Sequence, residues 1–426
     1  MKNSGPRKSS GNKLQLLLNS VEKKARRAYK EGRFEDALGA CLQATRINPA
    51  LAPAWIDATV NCIKLERWNS AIEYASQAVK LGARTLPLFD ALSHAHGALK
   101  QWDQVRQFGR QALELRMELF SKPHPLPAPP PSPLPGPPSL ATRERNLIAF
   151  SLFGGNSKYC ETAVINATEQ PRIYPDWTCR FYIDESVPLA VVKRLDEAGA
   201  QIIYVDEQTR RWPGPMWRLM ALDDPDLDRV IFRDADSVIS MREARAVERW
   251  IASDKRFHAM RDSGSHTELL LAGLWGCVAG SLPSVQALLE VFAQQPLSST
   301  HFADQYFLRQ LVWPYARESL LQHDSVFGFL DAEPFPDGPA PEDFHVGYAE
   351  GSPLFSLPTQ LPDGTDVDWH FYQLDKHGDE TKRRRLCSYP ATVCDGQVNA
   401  HLPARYADLI ERGLGNIRLK ARQETA

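Results

Sequence analysis

Two carboxylates one residue apart, Asp234 and Asp236 in Val230-Ile231-Phe232-Arg233-Asp234-Ala235-Asp236-Ser237, are the residues best suited to chemistry in this chain. Oxygen donors of this kind suit a hard divalent cation, and a cation so held suits a diphosphate. On an extended strand residues i and i+2 share a side, so both side chains are expected to face one point. The bare D-x-D pattern recurs at Asp224/Asp226, Asp226/Asp228 and Asp366/Asp368. What separates the 234/236 pair is the apolar run before it and the serine after it. Farther along, Arg261 and Asp262 lie between apolar runs, a placement that requires a partner or a role. Gly273-Leu274-Trp275-Gly276 reads as a strand end where backbone approaches a ligand closely. Asp304-Gln305 opens an expected helix after the polar run Ser298-Ser299-Thr300, and His345 follows in Phe344-His345-Val346-Gly347. Each candidate also has a purely structural reading. Asp262 can anchor a loop, Asp304 can cap its helix, His345 can be a hydrogen-bonded loop residue, and Arg218 can be a solvated helix residue rather than a phosphate or base contact. Arg233, on the alternate side of the strand, suits a structural ion pair as well as it suits a phosphate.

These side chains need a sheet to position them, and the surrounding pattern supplies one. Asn146-Leu147-Ile148-Ala149-Phe150-Ser151-Leu152 reads as a buried strand that runs into Phe153-Gly154-Gly155. A helix is expected around residues 159–169, a strand over 180–184, a helix over 189–198 closed by Gly199, a strand over 201–205, a helix over 216–221 and a strand over 229–232. Strands alternating with helices at this spacing predict a mostly parallel α/β sheet, and such sheets bind ligands beyond the carboxyl ends of their strands. Asp234 and Asp236 stand at such an end.

The N-terminal third has a different organisation. Gly32, Glu66 and Lys100 are spaced by 34 residues, as are Phe34, Trp68 and Trp102, and small residues recur at Ala37/Ala71/Val105 and Ala44/Ala78/Ala112. Residues 123–138 then hold ten of the 32 prolines, which predicts an extended, solvated spacer at a domain boundary. A net charge of −2 gives no general attraction to nucleic acid or anionic membrane. Seven cysteines without a C-x-x-C pair argue against a disulfide framework or zinc ribbon and favour a reducing, cytoplasmic setting. The polar, basic start is no secretory signal. The uncharged stretch 269–289 carries Gly273, Gly276, Gly280 and Pro283, which suits a strand, turn and helix start better than a membrane span. There is no G-x-x-x-x-G-K-[ST] loop and no G-x-S-x-G elbow. Lys382-Arg383-Arg384-Arg385 reads as a solvated basic loop.

The 34-residue period, with Trp55 at an aromatic helix position and Pro49 closing a unit, resembles the tetratricopeptide repeat, a helix-turn-helix solenoid unit. Three units are expected over about Val21 to Met117. The order Phe153-Gly154, Asp234-Ala235-Asp236, Ala303-Asp304-Gln305, His345-Val346-Gly347 resembles the GT-A-type nucleotide-sugar glycosyltransferases. Together the two resemblances imply a disordered segment 1–20, a repeat domain 21–120, a Pro-rich linker 121–143 and a GT-A-like α/β domain 144–426 with a C-terminal extension. The glycosyltransferase resemblance implies a metal-dependent, hexosyltransferase-like enzyme moving a sugar from a nucleotide-diphosphate donor to a glycan or protein acceptor. It places Mn²⁺, or Mg²⁺, on Asp234, Asp236 and His345. It places the donor against Phe153, Gly154, Arg218, Asp234, Gly273, Trp275 and Gln305, and the catalytic roles on Asp304 and Asp262. The repeats would recruit a partner or acceptor, or self-associate. The alternatives are a non-catalytic adaptor and a nucleotidyltransferase using the same carboxylate and metal logic.

Overall fold

A computed structural model describes residues 8–130, 132–296, 299–340 and 344–422. The chain divides into two compact units. One comprises Met1–Lys122 with Arg261–Leu269 and Asp324–Pro334, and the other comprises Pro123–Met260, Leu270–His323 and Phe335–Ala426.

The first unit is a stack of antiparallel helices: α1 (Lys8–Lys30), α2 (Phe34–Ile47), α3 (Ala52–Lys64), α4 (Trp68–Lys80), α5 (Leu86–Ala98) and α6 (Trp102–Phe120). The small residues that recur at 34-residue spacing are all buried where helices meet, with Ala37, Val105, Ala78 and Ala112 at 0% exposure. A larger side chain there would push neighbouring helices apart. The repeat extends to backbone detail. Gly32, Glu66 and Lys100 all adopt positive φ, at 72°, 55° and 57°. The next residues, Arg33, Arg67 and Gln101, donate to the carbonyls of Ala28, Cys62 and His96 at 2.9 Å each. The three helix ends are therefore closed by one left-handed turn used three times, twice without the glycine that such a turn favours. Trp55 donates its indole N–H to Pro49 O at 2.9 Å, which ties the start of α3 to the turn before it.

Residues 8–20 differ from expectation. They belong to helix α1 rather than to a disordered segment, because Leu18, Val21, Ala25 and Ala28 fall on one helical face that packs into the repeat core. Residues 1–7 lie outside the described residues. The unit is completed by two segments remote in sequence. The Phe327 ring fills a notch at Gly109, where a Cβ would collide with it. Ser93 Oγ donates to Gly264 O at 2.6 Å. Buried Arg116 forks onto Asp90 at 2.8 Å and reaches Glu268 at 3.0 Å, while Thr267 Oγ1 donates to Asp90 at 2.7 Å.

The second unit is built on a seven-stranded mixed sheet of order β3-β2-β1-β4-β6-β5-β7. Its strands are β1 (Asn146–Leu152), β2 (Thr178–Ile183), β3 (Gln201–Tyr204), β4 (Arg229–Phe232), β5 (Phe257–Arg261), β6 (Trp275–Val278) and β7 (Leu320–Asp324). Helices α7 (Ser157–Ile173) and α8 (Leu189–Glu197) make the crossovers that keep β1, β2 and β3 parallel. β1 also pairs in parallel with β4, whereas β6 runs antiparallel to both β4 and β5. All seven residues of β1 are buried, as its continuous apolar run requires of a central strand covered on both faces. The winding reverses between β1 and β4, which leaves a crevice at their carboxyl ends. The stretch 269–289 resolves into β6 and the start of a helix, Val285–Ala293. No described helix is long and apolar enough to cross a membrane.

Beyond residue 350 the chain forms a two-stranded pair, β8 (Leu354–Pro358) with β11 (Gln397–His401), and a three-stranded sheet in which β9 (Asp366–Gln373) lies between β10 (Arg384–Thr392) and β12 (Gly415–Ala421). Trp369 and Phe371 of β9, both fully buried, join this extension to the main core. The proline-rich segment is not a freely solvated spacer. Arg229 donates to Pro135 O and Gly136 O at 2.7 and 2.9 Å, and Tyr315 OH bonds both N and O of Leu126. Proline backbone cannot donate but its carbonyls accept strongly, so arginine and tyrosine donors strap the segment onto the second unit. The described cysteines are all free, and only Cys394 among them is exposed.

Candidate functional site

The crevice between β1 and β4 gathers most of the candidate residues. β1 ends at Leu152, and Phe153 follows with 42% of its surface exposed, its ring edge-on to Trp217 at 5.5 Å. Gly214 opens the 3₁₀ segment Gly214–Asp223, and a Cβ there would strike the Phe153 ring, so the segment packs tightly against the end of β1. Ser151 completes the clamp: its hydroxyl accepts from Arg218 N at 2.9 Å and donates to Pro215 O at 3.3 Å. Gly154, at φ 74°, turns the chain away and donates its N–H to Ser186 Oγ at 2.6 Å. An exposed aromatic face is thus held rigidly at a strand end, the arrangement on which a planar ring can stack.

Arg218 is the hub. It is 3% exposed, and its guanidinium donates to Asp234 Oδ1 at 2.7 Å, to Asp304 Oδ2 at 2.8 Å and to Arg233 O at 2.5 Å. A buried guanidinium needs its donors satisfied in its own plane, and two carboxylates and a carbonyl do so here. Burial pushes the Asp304 carboxyl above the ordinary carboxylate range; the Arg218 charge opposes that shift and the neighbouring Asp234 charge adds to it. The second Asp304 oxygen accepts from Gln305 N at 2.8 Å. Asp304 therefore does sit at a helix start, but its deeper role is to pair with Arg218 beside Asp234.

Asp234 and Asp236 lie in a turn beyond β4, not on the strand itself, since β4 stops at Phe232 and Ser237 N closes a turn onto Asp234 O at 3.3 Å. The strand-alternation argument for a shared face therefore does not apply. Asp234 points to Arg218, while Asp236 Oδ2 meets Lys158 Nζ at 3.1 Å. Arg233, 1% exposed, is a structural ion pair with Glu243 at 2.8 Å. Gly273 leaves room for the Asp234 carboxylate, which a Cβ at 273 would overlap. Gln305 holds the backbone next to that glycine, donating to Leu270 O at 2.5 Å and accepting from Ala272 N at 3.0 Å. It positions the loop through its amide. Trp275 is not a surface contact: it is 1% exposed and stacks on Phe232 at 4.4 Å within the core.

The segment around His345 returns to the same crevice. Val346 is fully buried against Leu274, Gly347 abuts the Leu274 side chain, and Gly351 N donates to Asp236 O at 3.1 Å. The His345 ring Nδ1 lies 3.0 Å from Val346 O. Among the described residues no group of three or more His, Cys, Asp or Glu is gathered as a metal cage. The Asp234 side chain is half-exposed and that of Asp236 partly buried, and a hard divalent cation is commonly held by one or two carboxylates with substrate phosphates completing its shell. Of the three residues expected to hold a cation, Asp234 is paired with Arg218 and Asp236 with Lys158, and the His345 ring lies against its own loop's backbone. Asp262 belongs to the first unit, where Ser325 Oγ donates to its carboxylate at 2.5 Å and its N–H donates to His266 Nδ1 at 3.0 Å. These bonds anchor its loop.

Sequence reasoning missed Lys158 and Ser151. Lys158 follows the Gly154-Gly155 turn at the first turn of α7, a cation at the mouth of a strand end, and that placement was the available signal.

No protein-family model and no curated protein matches the chain. Solved structures do match over the helical region. The first tetratricopeptide-repeat domain of human RPAP3 is 16% identical and covers 23% of this chain and 78% of its own, with a TM-score of 0.22. The tetratricopeptide-repeat domain of Arabidopsis OM64 is 17% identical over 25% and 87%, at 0.24. The second such domain of human RPAP3, solved with an HSP70 peptide, is 19% identical over 24% and 85%, at 0.23. By its own helix pattern and turn geometry the chain carries a tetratricopeptide-like helical region, followed by a mixed α/β region on a seven-stranded sheet.

Proposed function

We propose that the second unit transfers a sugar from a nucleotide-diphosphate donor, aided by a divalent cation, and that the helical repeats bind a protein or peptide partner, the acceptor included. The observation that carries the enzymatic reading is the Arg218–Asp234–Asp304 cluster at the point where the strand order reverses, between an exposed aromatic after β1 and a carboxylate pair after β4. Ligands of doubly wound sheets occupy that position. In this reading Phe153 stacks on the base and the Gly154 turn lets backbone approach it. Asp234 and Asp236 would hold Mn²⁺ or Mg²⁺. The cation would neutralise the diphosphate as it leaves. Lys158, already beside Asp236, adds a positive charge to the same place. Each Asp304 oxygen accepts one hydrogen bond, and what the carboxylate offers the reacting sugar is negative charge from a desolvated position. Gly273 and Gln305 keep the loop that seats Asp234 in place.

Nucleotide-sugars screened by thermal stabilisation of the full chain, with Mn²⁺ and with chelator, test this reading. At least one donor is expected to raise the melting temperature in Mn²⁺ and to lose that effect in chelator. If no donor stabilises the protein in either condition, the enzymatic reading fails and a purely partner-binding role remains.

A further inference from the structure

Away from the strand-end crevice, the second unit contains a cavity of about 860 Å³ lined by residues of α7, α8, β9, β10 and the helix Ala404–Glu411. That volume falls within the range of roughly 300–1,000 Å³ usual for small-molecule sites. Its wall includes four arginines, Arg194, Arg384, Arg385 and Arg405. The lining also includes the apolar side chains of Val164, Ile165, Leu386 and Leu409.

Two features order the residues around this open groove. The first lies beneath it. Glu161, fully buried, accepts from both arms of Arg194 at 2.5 and 3.0 Å, from Tyr389 OH at 2.5 Å and from Tyr406 OH at 3.4 Å. Arg194 and Tyr406 both face the cavity, so one buried carboxylate fixes the orientation of two wall residues. The second lies on the strand. Pairing of β10 with β9 shifts register between Arg385 and Cys387, which places a bulge at Leu386. Regular alternation would send Arg384 and Leu386 to one face and Arg385 to the other. The bulge breaks the alternation, and all three consecutive residues line the cavity.

The charges of the wall are unequally committed. Arg194 is neutralised by Glu161, and Arg405 by Glu350 at 3.0 Å. Glu169 faces Arg172 at 2.6 Å, and Asp408 faces Arg412 at 3.1 Å. Arg384 is held only by the Gln373 amide oxygen at 3.1 Å, and Arg385 has no carboxylate at ion-pair distance among the described residues. Against these two guanidinium groups the wall sets Glu197. The second half of the basic run, Arg384 and Arg385, therefore starts β10 instead of lying in a loop, and presents two exposed, uncommitted forks beside apolar lining residues.

We propose that this cavity is a second ligand site, which takes an organic anion with one phosphate-like head on Arg384 and Arg385 and an apolar body on Val164, Ile165, Leu386 and Leu409. The site is independent of the strand-end reading, whose residues it does not share.

Phenyl phosphate is the test ligand, titrated calorimetrically into the full chain beside its two halves, inorganic phosphate and phenol. Saturable binding of phenyl phosphate is expected, tighter than either half and weaker at high ionic strength. The exposed pair R384A/R385A should weaken it by at least about tenfold, the scale of one charge-assisted hydrogen bond, while D234A, at the strand ends, should leave it unchanged. Equal affinity in wild type and R384A/R385A would overturn the proposal, as would a loss caused by D234A instead. Inorganic phosphate binding as tightly as phenyl phosphate would refute the apolar half of the site. A second variant, V164S, keeps the arginines and is expected to weaken phenyl phosphate without affecting inorganic phosphate.

Discussion

Replacing Arg218 by methionine removes the cation that holds two carboxylates and leaves their backbone supports in place. The two partners differ in what that costs. The Asp234 side chain is about half exposed at 51%, so water replaces most of what the arginine gave, and its share is roughly 0–1 kcal/mol. The Asp304 side chain is 9% exposed, and breaking a buried pair from one side costs roughly 3–5 kcal/mol, because an uncompensated charge stays behind. The loss in R218M is therefore expected to be about 3–5 kcal/mol and to come mainly from Asp304. The double variant R218M/D304N removes the stranded charge and should recover at least about half of that loss. The pH dependence follows from the same residue. Burial raises the folded-state pKa of Asp304 above its unfolded value, so its contribution is fully present below the unfolded pKa and is lost as pH rises through the folded one. Wild-type stability relative to D304N should fall with rising pH through the range just above the ordinary aspartate value. In R218M the fall should be steeper, because the opposing cation is gone. Urea unfolding followed by tryptophan fluorescence from about pH 4 to about pH 8 measures both effects. A loss below about 1 kcal/mol in R218M, or no recovery in the double variant, would refute the claim that Asp304 is a desolvated charge held by Arg218.

Two further outcomes follow from backbone geometry. Gly273→Ala puts a methyl where the Asp234 carboxylate lies and is expected to cost about 1–3 kcal/mol in stability but roughly 10²-fold in donor turnover; steady-state kinetics on a donor found by the thermal screen measures it, and unchanged turnover would remove Gly273 from the site. Glu66→Gly and Lys100→Gly, at positive φ in the repeat turns, should each stabilise the helical unit by about 0.5–1 kcal/mol, whereas Gly32→Ala should destabilise it by a similar amount; thermal unfolding followed by circular dichroism separates the two directions.

What the sequence disclosed depends on how local the signal was. The repeat period was legible because its determinants are short-range: a small residue every 34 positions, and a turn whose hydrogen bonds span five residues. Strands β1 to β4 were legible for the same reason, each a brief apolar run followed by a helix or turn. Their ends located Phe153, Gly154, Asp234 and Asp236 correctly at the sheet's mouth. The parts that escaped are those fixed by distant partners. Arg218 read as either a donor contact or a solvated helix residue, because the partners that neutralise it, Asp234 and Asp304, lie 16 and 86 positions away. Trp275 stood in a glycine-containing stretch read as a ligand-facing strand end, but its pairing partner Phe232 draws it into the core. The placement of Asp262 between apolar runs called for a partner or a role, and Ser325, 63 positions away, is a partner that local sequence does not show. Among its described residues the proline-rich segment 123–138 makes no backbone hydrogen bonds within itself, and nothing nearby in sequence indicated that Arg229 and Tyr315 would hold it. The assignment of 261–269 and 324–334 to the helical unit is likewise invisible locally, since each is a short loop with no periodicity.

The central claim is that Asp236, together with Asp234, anchors a cation and a diphosphate at the carboxyl end of β4. Calorimetric titration of uridine and guanosine diphosphate into the full chain, with Mn²⁺ and with chelator, in wild type and D236A, tests it most directly. The account predicts that at least one diphosphate binds wild type in Mn²⁺, binds at least about tenfold more weakly in chelator, and shows no Mn²⁺ enhancement in a folded D236A. Mn²⁺-dependent binding that persists undiminished in D236A would contradict it.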